Sequence, residues 1–126
     1  MLTFTRAFTG FSVDDVEVAR RFYGETLGLD VRDAGMGIIE LFLPGGGRVI
    51  VYPKGEEHQP ATYTVLDFVV ADVGAALREL AGLGIQPLRY PGMPQDEDGA
   101  MRGHGPDIAW FADPAGNVLA VIADED

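Results

Sequence analysis

Residues 11–19 read FSVDDVEVA and residues 68–76 read FVVADVGAA. Phe11 falls opposite Phe68, Val13 opposite Val70, Asp15 opposite Asp72, Val16 opposite Val73 and Ala19 opposite Ala76, at a constant offset of 57. Each copy runs on to a Leu-Gly-apolar stop, Leu27-Gly28-Leu29 in one and Leu83-Gly84-Ile85 in the other. Further along, GGRVIVY (46–52) stands in the place of AGNVLAV (115–121). Two copies are too few to stack as a solenoid. The chain therefore reads as one domain, 1–126, built from a duplicated module of about 1–60 and about 61–126.

Each copy has the same local grammar. An apolar strand, about 4–13 or about 63–70, leads into an Asp placed to accept backbone N–H bonds at a helix start. Asp14 and Glu17 have the spacing of a capping box. Apolar residues follow at helical spacing: Val16, Ala19, Tyr23 and Leu27, then Val73, Ala76, Leu77 and Leu80. Gly28 and Gly84 stand where a helix end favours positive φ. Three short strands complete each half, about 29–34, 37–43 and 48–53, then about 86–90, 107–112 and 117–122. The order βαβββ, twice, predicts an α+β fold of eight strands, with helices segregated from mostly antiparallel, curved mixed sheets.

Composition narrows the function. The chain is 47% apolar and 23% charged, as in ordinary globular domains. No apolar run approaches the roughly 20 residues of a membrane span, and the N-terminus lacks the layout of a secretory signal. A cytoplasmic protein with no membrane partner is expected. The absence of cysteine excludes disulfides, thiolate metal sites and cysteine nucleophiles. A net charge of −11 repels phosphate backbones, so no nucleic-acid partner is expected. The glycine triplet at 45–47 precedes no helix and cannot form a phosphate cradle. There is no P-loop, no Gly-x-Ser-x-Gly, and no Ser–His–Asp set that can be placed.

The duplicated βαβββ order, the stretch VDD…ARRFYGETLGL and the stretch FADPAGNVLAVI together resemble the vicinal oxygen chelate superfamily. This is the group of glyoxalases, extradiol dioxygenases and bleomycin-resistance proteins, and the chain resembles its small bacterial-type members. The resemblance covers nearly the whole chain and implies curved sheets around a central cavity. In the family's enzymes it also implies a divalent metal, held by a His in the first strand of each module and a Glu, Gln or His in the last. Counted onto this sequence, those positions are Phe8 and Val65 in the first strands, then Val51, or a neighbour, and Ala120 in the last. None of these four side chains can donate to a divalent cation. No metal and no other cofactor is therefore expected. Phe8, Val51, Val65 and Ala120 should instead face one apolar cavity or pack against one another.

The stretch RYPGMPQDEDGAMRGHGPDIAWF (89–111) has neither helical nor strand periodicity over its middle, and connections of this length are usually functional or disordered. It holds Tyr90, Met93, Met101 and His104, with Trp110 in the strand that follows. These five are candidates to line the cavity. Gln95 and Asp96, in the run Gln95-Asp96-Glu97-Asp98, would add an acidic field for a cationic group, with the Trp110 ring as its stacking face. Tyr52 would hang its hydroxyl at the cavity mouth. His58, beside Glu56 and Glu57, reads as part of a solvated connection. The function expected is binding of a small, partly aromatic or cationic molecule by a homodimer. Two alternatives stand beside it: a glyoxalase-like lyase, isomerase or dioxygenase with a displaced metal or none, and a dimerisation module without a ligand.

Overall fold

In the computed structural model, which describes residues 1–124, two aspartates start the two helices. Asp15 precedes α1 (Val16–Arg20) and accepts from Glu17 N at 3.0 Å and Val18 N at 3.3 Å. Asp72 precedes α2 (Val73–Gly82) and accepts from Gly74 N at 2.9 Å and Ala75 N at 3.4 Å. Each carboxylate satisfies N–H groups that a first helical turn leaves without intrahelical partners. Asp14 is not the cap: its side chain accepts from Asp15 N at 2.8 Å, and with Asp15 as cap the N3 position is Val18, so no capping box forms. Beyond α1 the chain widens into a π-helical turn, Arg21–Thr26, in which Leu27 N donates to Phe22 O at 2.9 Å. That turn buries two adjacent aromatic residues, Phe22 and Tyr23, whose rings meet edge to face at 5.1 Å. Gly28 and Gly84, just past the helical segments, both take φ of +80°.

The chain divides into two compact units, Met1–Pro60 and Ala61 onward. The first carries β1 (Thr9–Val13), β2 (Asp30–Gly35), β3 (Ile38–Phe42) and β4 (Arg48–Pro53), in the sheet order β1-β4-β3-β2. β1 runs parallel to β4, and the other pairs are antiparallel. Phe11, Val13, Ile39, Leu41, Val49 and Val51 are all buried on one face, where the Tyr23 ring meets Phe11 at 5.9 Å. Strand alternation turns Gly10, Ser12, Glu40, Ile50 and Tyr52 to the other face.

The second unit carries β5 (Thr64–Val70), β6 (Ile108–Ala112) and β7 (Val118–Ala123), in the order β5-β7-β6. β5 is parallel to β7, and β6 is antiparallel to it. Leu66, Ala109, Phe111, Leu119 and Val121 are buried on the face that α2 covers, and Phe68 meets Phe111 at 6.3 Å. Asp67, Ala120 and Trp110 form a row across the opposite face.

The described residues hold seven strands, not eight, because 86–90 forms none. Pro87 removes one ladder donor. Leu88 N still donates to Trp110 O at 2.7 Å, but Tyr90 N and Leu88 O are taken by the side chain of Gln95. The segment runs beside β6 with only the Leu88 N bond, among the described residues, joining the two.

The turn from β6 to β7 is locked by two buried polar side chains. Asp113 Oδ1 accepts from Ala115 N at 3.0 Å and Asn117 N at 2.8 Å. Asn117 Nδ2 donates to Asp113 Oδ2 at 3.2 Å, while its Oδ1 accepts from Ala61 N at 3.2 Å. Replacing Asn117 by Ala strips both contacts at a buried position, and should cost about 3 kcal/mol in urea unfolding. A loss below about 1 kcal/mol would mean that these bonds are not holding the turn.

Candidate functional site

Strand parity decides which side chains can reach the face away from each helix. Val51 cannot. It pairs with Phe11 and Ile39 and is fully buried on the helix side. Its neighbours Ile50 and Tyr52 occupy the other face, so the counted position was out by one residue. Phe8 precedes β1 and is 54% exposed, with the Arg6 guanidinium 5.5 Å from its ring centroid. The expectation that Phe8 and Val51 share a space is therefore wrong.

In the second unit Thr64 pairs with Val118 and Leu66 with Leu119, which makes Val65 an extra, bulged residue in β5. Ala120 is fully buried between Asp67 and Trp110. Phe8, Ile50 or Tyr52, Val65 and Ala120 do not form a donor set that fits a divalent metal. Among the described residues no group of three or more His, Asp or Glu side chains could hold one.

The long loop is a scaffold tied by its own side chains. Gln95 Oε1 accepts from Tyr90 N at 2.8 Å, and its Nε2 donates to Leu88 O at 2.9 Å and Gly99 O at 2.8 Å. Asp96 Oδ1 accepts from Asp98 N at 2.9 Å and Ala100 N at 3.0 Å, while Oδ2 takes Arg102 Nε at 2.9 Å. Met101 bridges Gln95 and Ile108. The arginine Arg102 also reaches Asp107 at 2.7 Å, and Arg89 binds the carbonyls of Asp96 and Glu97. Gln95 and Asp96 are thus spent inside the loop rather than offered to a ligand. Glu97 and Asp98 line a separate cleft with Arg78 and Arg89, beside α2. His104 is exposed between Gly103 and Gly105.

The Arg102 guanidinium, helped by Ala100 N, holds the Asp96 carboxyl below the ordinary aspartate range. A depressed folded-state pKa stabilises the loop above the unfolded value of about 3.9 and ceases to do so as pH falls through the lower folded value. The near-ultraviolet signal of Trp110 should therefore hold steady from neutral pH down to about 4 and fade below it. Loss of the signal already by about pH 5 to 6 would place the loop's order elsewhere.

What the loop scaffold positions is a wall. Tyr90, Met93 and Trp110 line an open pocket of about 310 Å³ together with Thr62, Tyr63, Thr64 and Val118. The Tyr90 and Trp110 rings meet edge to face, 5.6 Å apart at 81°. No charged side chain lines it, so the cationic preference expected from residues 95–98 has no support at the wall. Thr62, Tyr63 and Thr64 escaped the sequence reading, although they lead into β5, whose partner β7 supplies Val118. In the first unit, Ser12 Oγ lies 2.8 Å from His58 Nδ1, and both residues are half-buried. His58 is not a solvated loop residue.

A family model described as the Glyoxalase/Bleomycin resistance protein/Dioxygenase superfamily matches residues 6–121. The chain belongs to this superfamily. Solved structures of the same superfamily fold agree in architecture. A superfamily member from Sphaerobacter thermophilus aligns with a TM-score of 0.71 at 24% identity, over 98% of this chain and 100% of that one. TnmS3, an antibiotic binding protein from Streptomyces sp. CB03234, aligns at 0.70 and 21% identity, over 99% of this chain and 100% of that one. Lactoylglutathione lyase from Agrobacterium tumefaciens aligns at 0.64 and 18% identity, over 94% and 93%. At these identities the likeness is one of fold. Comparison with curated protein sequences gives no significant match. Among the described residues of this superfamily member, no helix is long and apolar enough to cross a membrane.

Proposed function

We propose that this superfamily member binds a small, planar, largely apolar molecule in the Tyr90–Met93–Trp110 pocket, and does so without a metal. The observation that carries the reading is the edge-to-face pair of Tyr90, on the self-bonded loop, and Trp110, on β6, lining an uncharged pocket of about 310 Å³. That volume is at the lower end for small-molecule sites, which are mostly apolar with a few polar groups for orientation. Its lining includes three hydroxyl-bearing residues, Thr62, Tyr63 and Thr64, from which those groups would come. The same fold serves antibiotic binding in the Streptomyces protein.

Trp110 is the chain's one tryptophan, so its fluorescence reports on the pocket alone. A panel of planar aromatic compounds, such as hydroxynaphthoquinones and flavonoids, should contain members that quench it saturably. The same members should raise stability by about 2.7 kcal/mol at 100 times their dissociation constant. If no compound changes either signal in folded protein, the ligand-free reading takes its place. The proposal includes a cytoplasmic two-fold dimer: Leu2, Phe4 and Phe8 are 81%, 68% and 54% exposed, an apolar surface that a second copy would cover. Sedimentation showing only the 13.5 kDa chain at high concentration would count against the dimer.

A further inference from the structure

We propose that the first unit carries a second, nucleophilic site, in which His58 activates Ser12 toward small acyl or phosphonyl donors. Phe11 and Val13 are buried on the helix side, so parity turns the hydroxyl of Ser12 to the opposite face. The turn after β4 brings the imidazole to it. Lys54 N donates to Val13 O at 2.8 Å, Glu57 N to Lys54 O at 3.0 Å, and His58 N to Gly55 O at 3.2 Å. Gly55, at φ +53°, lets the chain double back over the end of β1. Residues 46 apart in sequence thereby meet at 2.8 Å, Ser12 Oγ on His58 Nδ1.

A hydroxyl and a base within hydrogen-bond reach are the central pair of an activated nucleophile. With the ring proton on Nε2, Nδ1 accepts from Ser12, the tautomer being assigned from this bond. Tyr52, the cross-strand partner of Ser12 on the same face, is 36% exposed, which leaves that side of the pair open to solvent. With an ester, Ser12 Oγ forms a bond to the carbonyl carbon and its proton passes to His58 Nδ1. The bond to the alkoxide or phenoxide then breaks, and the leaving group departs with the electron pair and takes up the proton. Water cleaves the acyl-serine in turn, releasing the carboxylic acid and restoring the hydroxyl. General-base help of this kind contributes about 10²–10⁴-fold.

The composition makes the test clean, because Ser12 is the chain's only serine and His58 one of two histidines. The folded chain is treated with a fluorophosphonate, whose P–F bond breaks as Ser12 Oγ bonds to phosphorus and fluoride leaves. Mass spectrometry should find one adduct, mapped to Ser12 and absent in Ser12→Ala. His58→Gln, which keeps a hydrogen-bonding group but no base, should label at least about 100-fold more slowly. His104→Ala should label at the wild-type rate. Wild-type chain unfolded in urea should lose the enhancement, a comparison that holds even if His58→Gln fails to fold. No adduct on the folded chain, an adduct elsewhere, or equal rates in folded and unfolded chain would overturn the proposal and leave the Ser12–His58 bond a tie for the turn.

Discussion

Replacing Trp110 by alanine should weaken binding of any pocket ligand at least about 100-fold, as measured by titration calorimetry. The indole is a wall of the pocket and the partner of Tyr90 at 5.6 Å, so its loss removes the stacking surface and frees the Tyr90 ring. Aromatic pairing is worth about 0.5–1.5 kcal/mol beyond area burial. The ligand's own contact with the ring adds to that. Stability should fall too. Trp→Ala costs about 3–5 kcal/mol at a fully buried site, and the half-buried Trp110 should lose about 2–3 kcal/mol. Trp110→Phe separates the two effects: it keeps a stacking face, should lose less than about 10-fold in affinity, and should unfold close to wild type. Undiminished binding by a folded Trp110→Ala chain would place the ligand elsewhere.

The second large effect is expected at Ala120, where the superfamily resemblance implies a metal-binding acid in enzymes. Ala120→Glu would place a carboxylate on a fully buried position, in the same sheet row as the Asp67 carboxylate and the Trp110 indole. Asp67 itself is exposed, and no basic residue stands in that row to pair with a new carboxylate. Burying an unpaired charge and overpacking the same site should together cost about 3–5 kcal/mol at neutral pH. That is a large share of the 5–15 kcal/mol typical of a domain. The variant should melt far below wild type or fail to fold, and it should gain no metal affinity, since Phe8, Ile50 and Val65 still offer no donor. A variant that melts like wild type and takes up one zinc per chain would show that the other positions were misread.

Much of the fold was legible because it rests on local chemistry repeated at one offset. Asp15 and Asp72 cap their helices 57 residues apart, and Gly28 and Gly84 take the same positive φ. What the sequence hid depended on parity and on side chains bonding to distant backbone. A shift of one residue moves a strand side chain to the other face, which is why counting gave Val51 or a neighbour and only the register singles out Ile50 and Tyr52 as the neighbours on that face. The 86–90 segment has an acceptable strand composition, yet the Gln95 amide takes two of its backbone groups, and no periodicity encodes that. The acidic run 95–98 looked like a ligand field, but Arg102 and the loop's own N–H groups absorb Asp96. Tyr90 and Met93, large side chains in a long, glycine-rich loop, and Trp110 in the strand after it do come to line one pocket. Ser12 and His58 could not, since their meeting depends on how the turn at 54–58 closes.

Whether the binding site works without a metal is decided by titrating a confirmed ligand while following Trp110 fluorescence. The titration is run on protein as purified, after exhaustive chelation, and after addition of zinc, nickel or manganese. One saturable curve is expected, with the same dissociation constant within about twofold in all three conditions. Binding that disappears on chelation and returns with one equivalent of metal would contradict it.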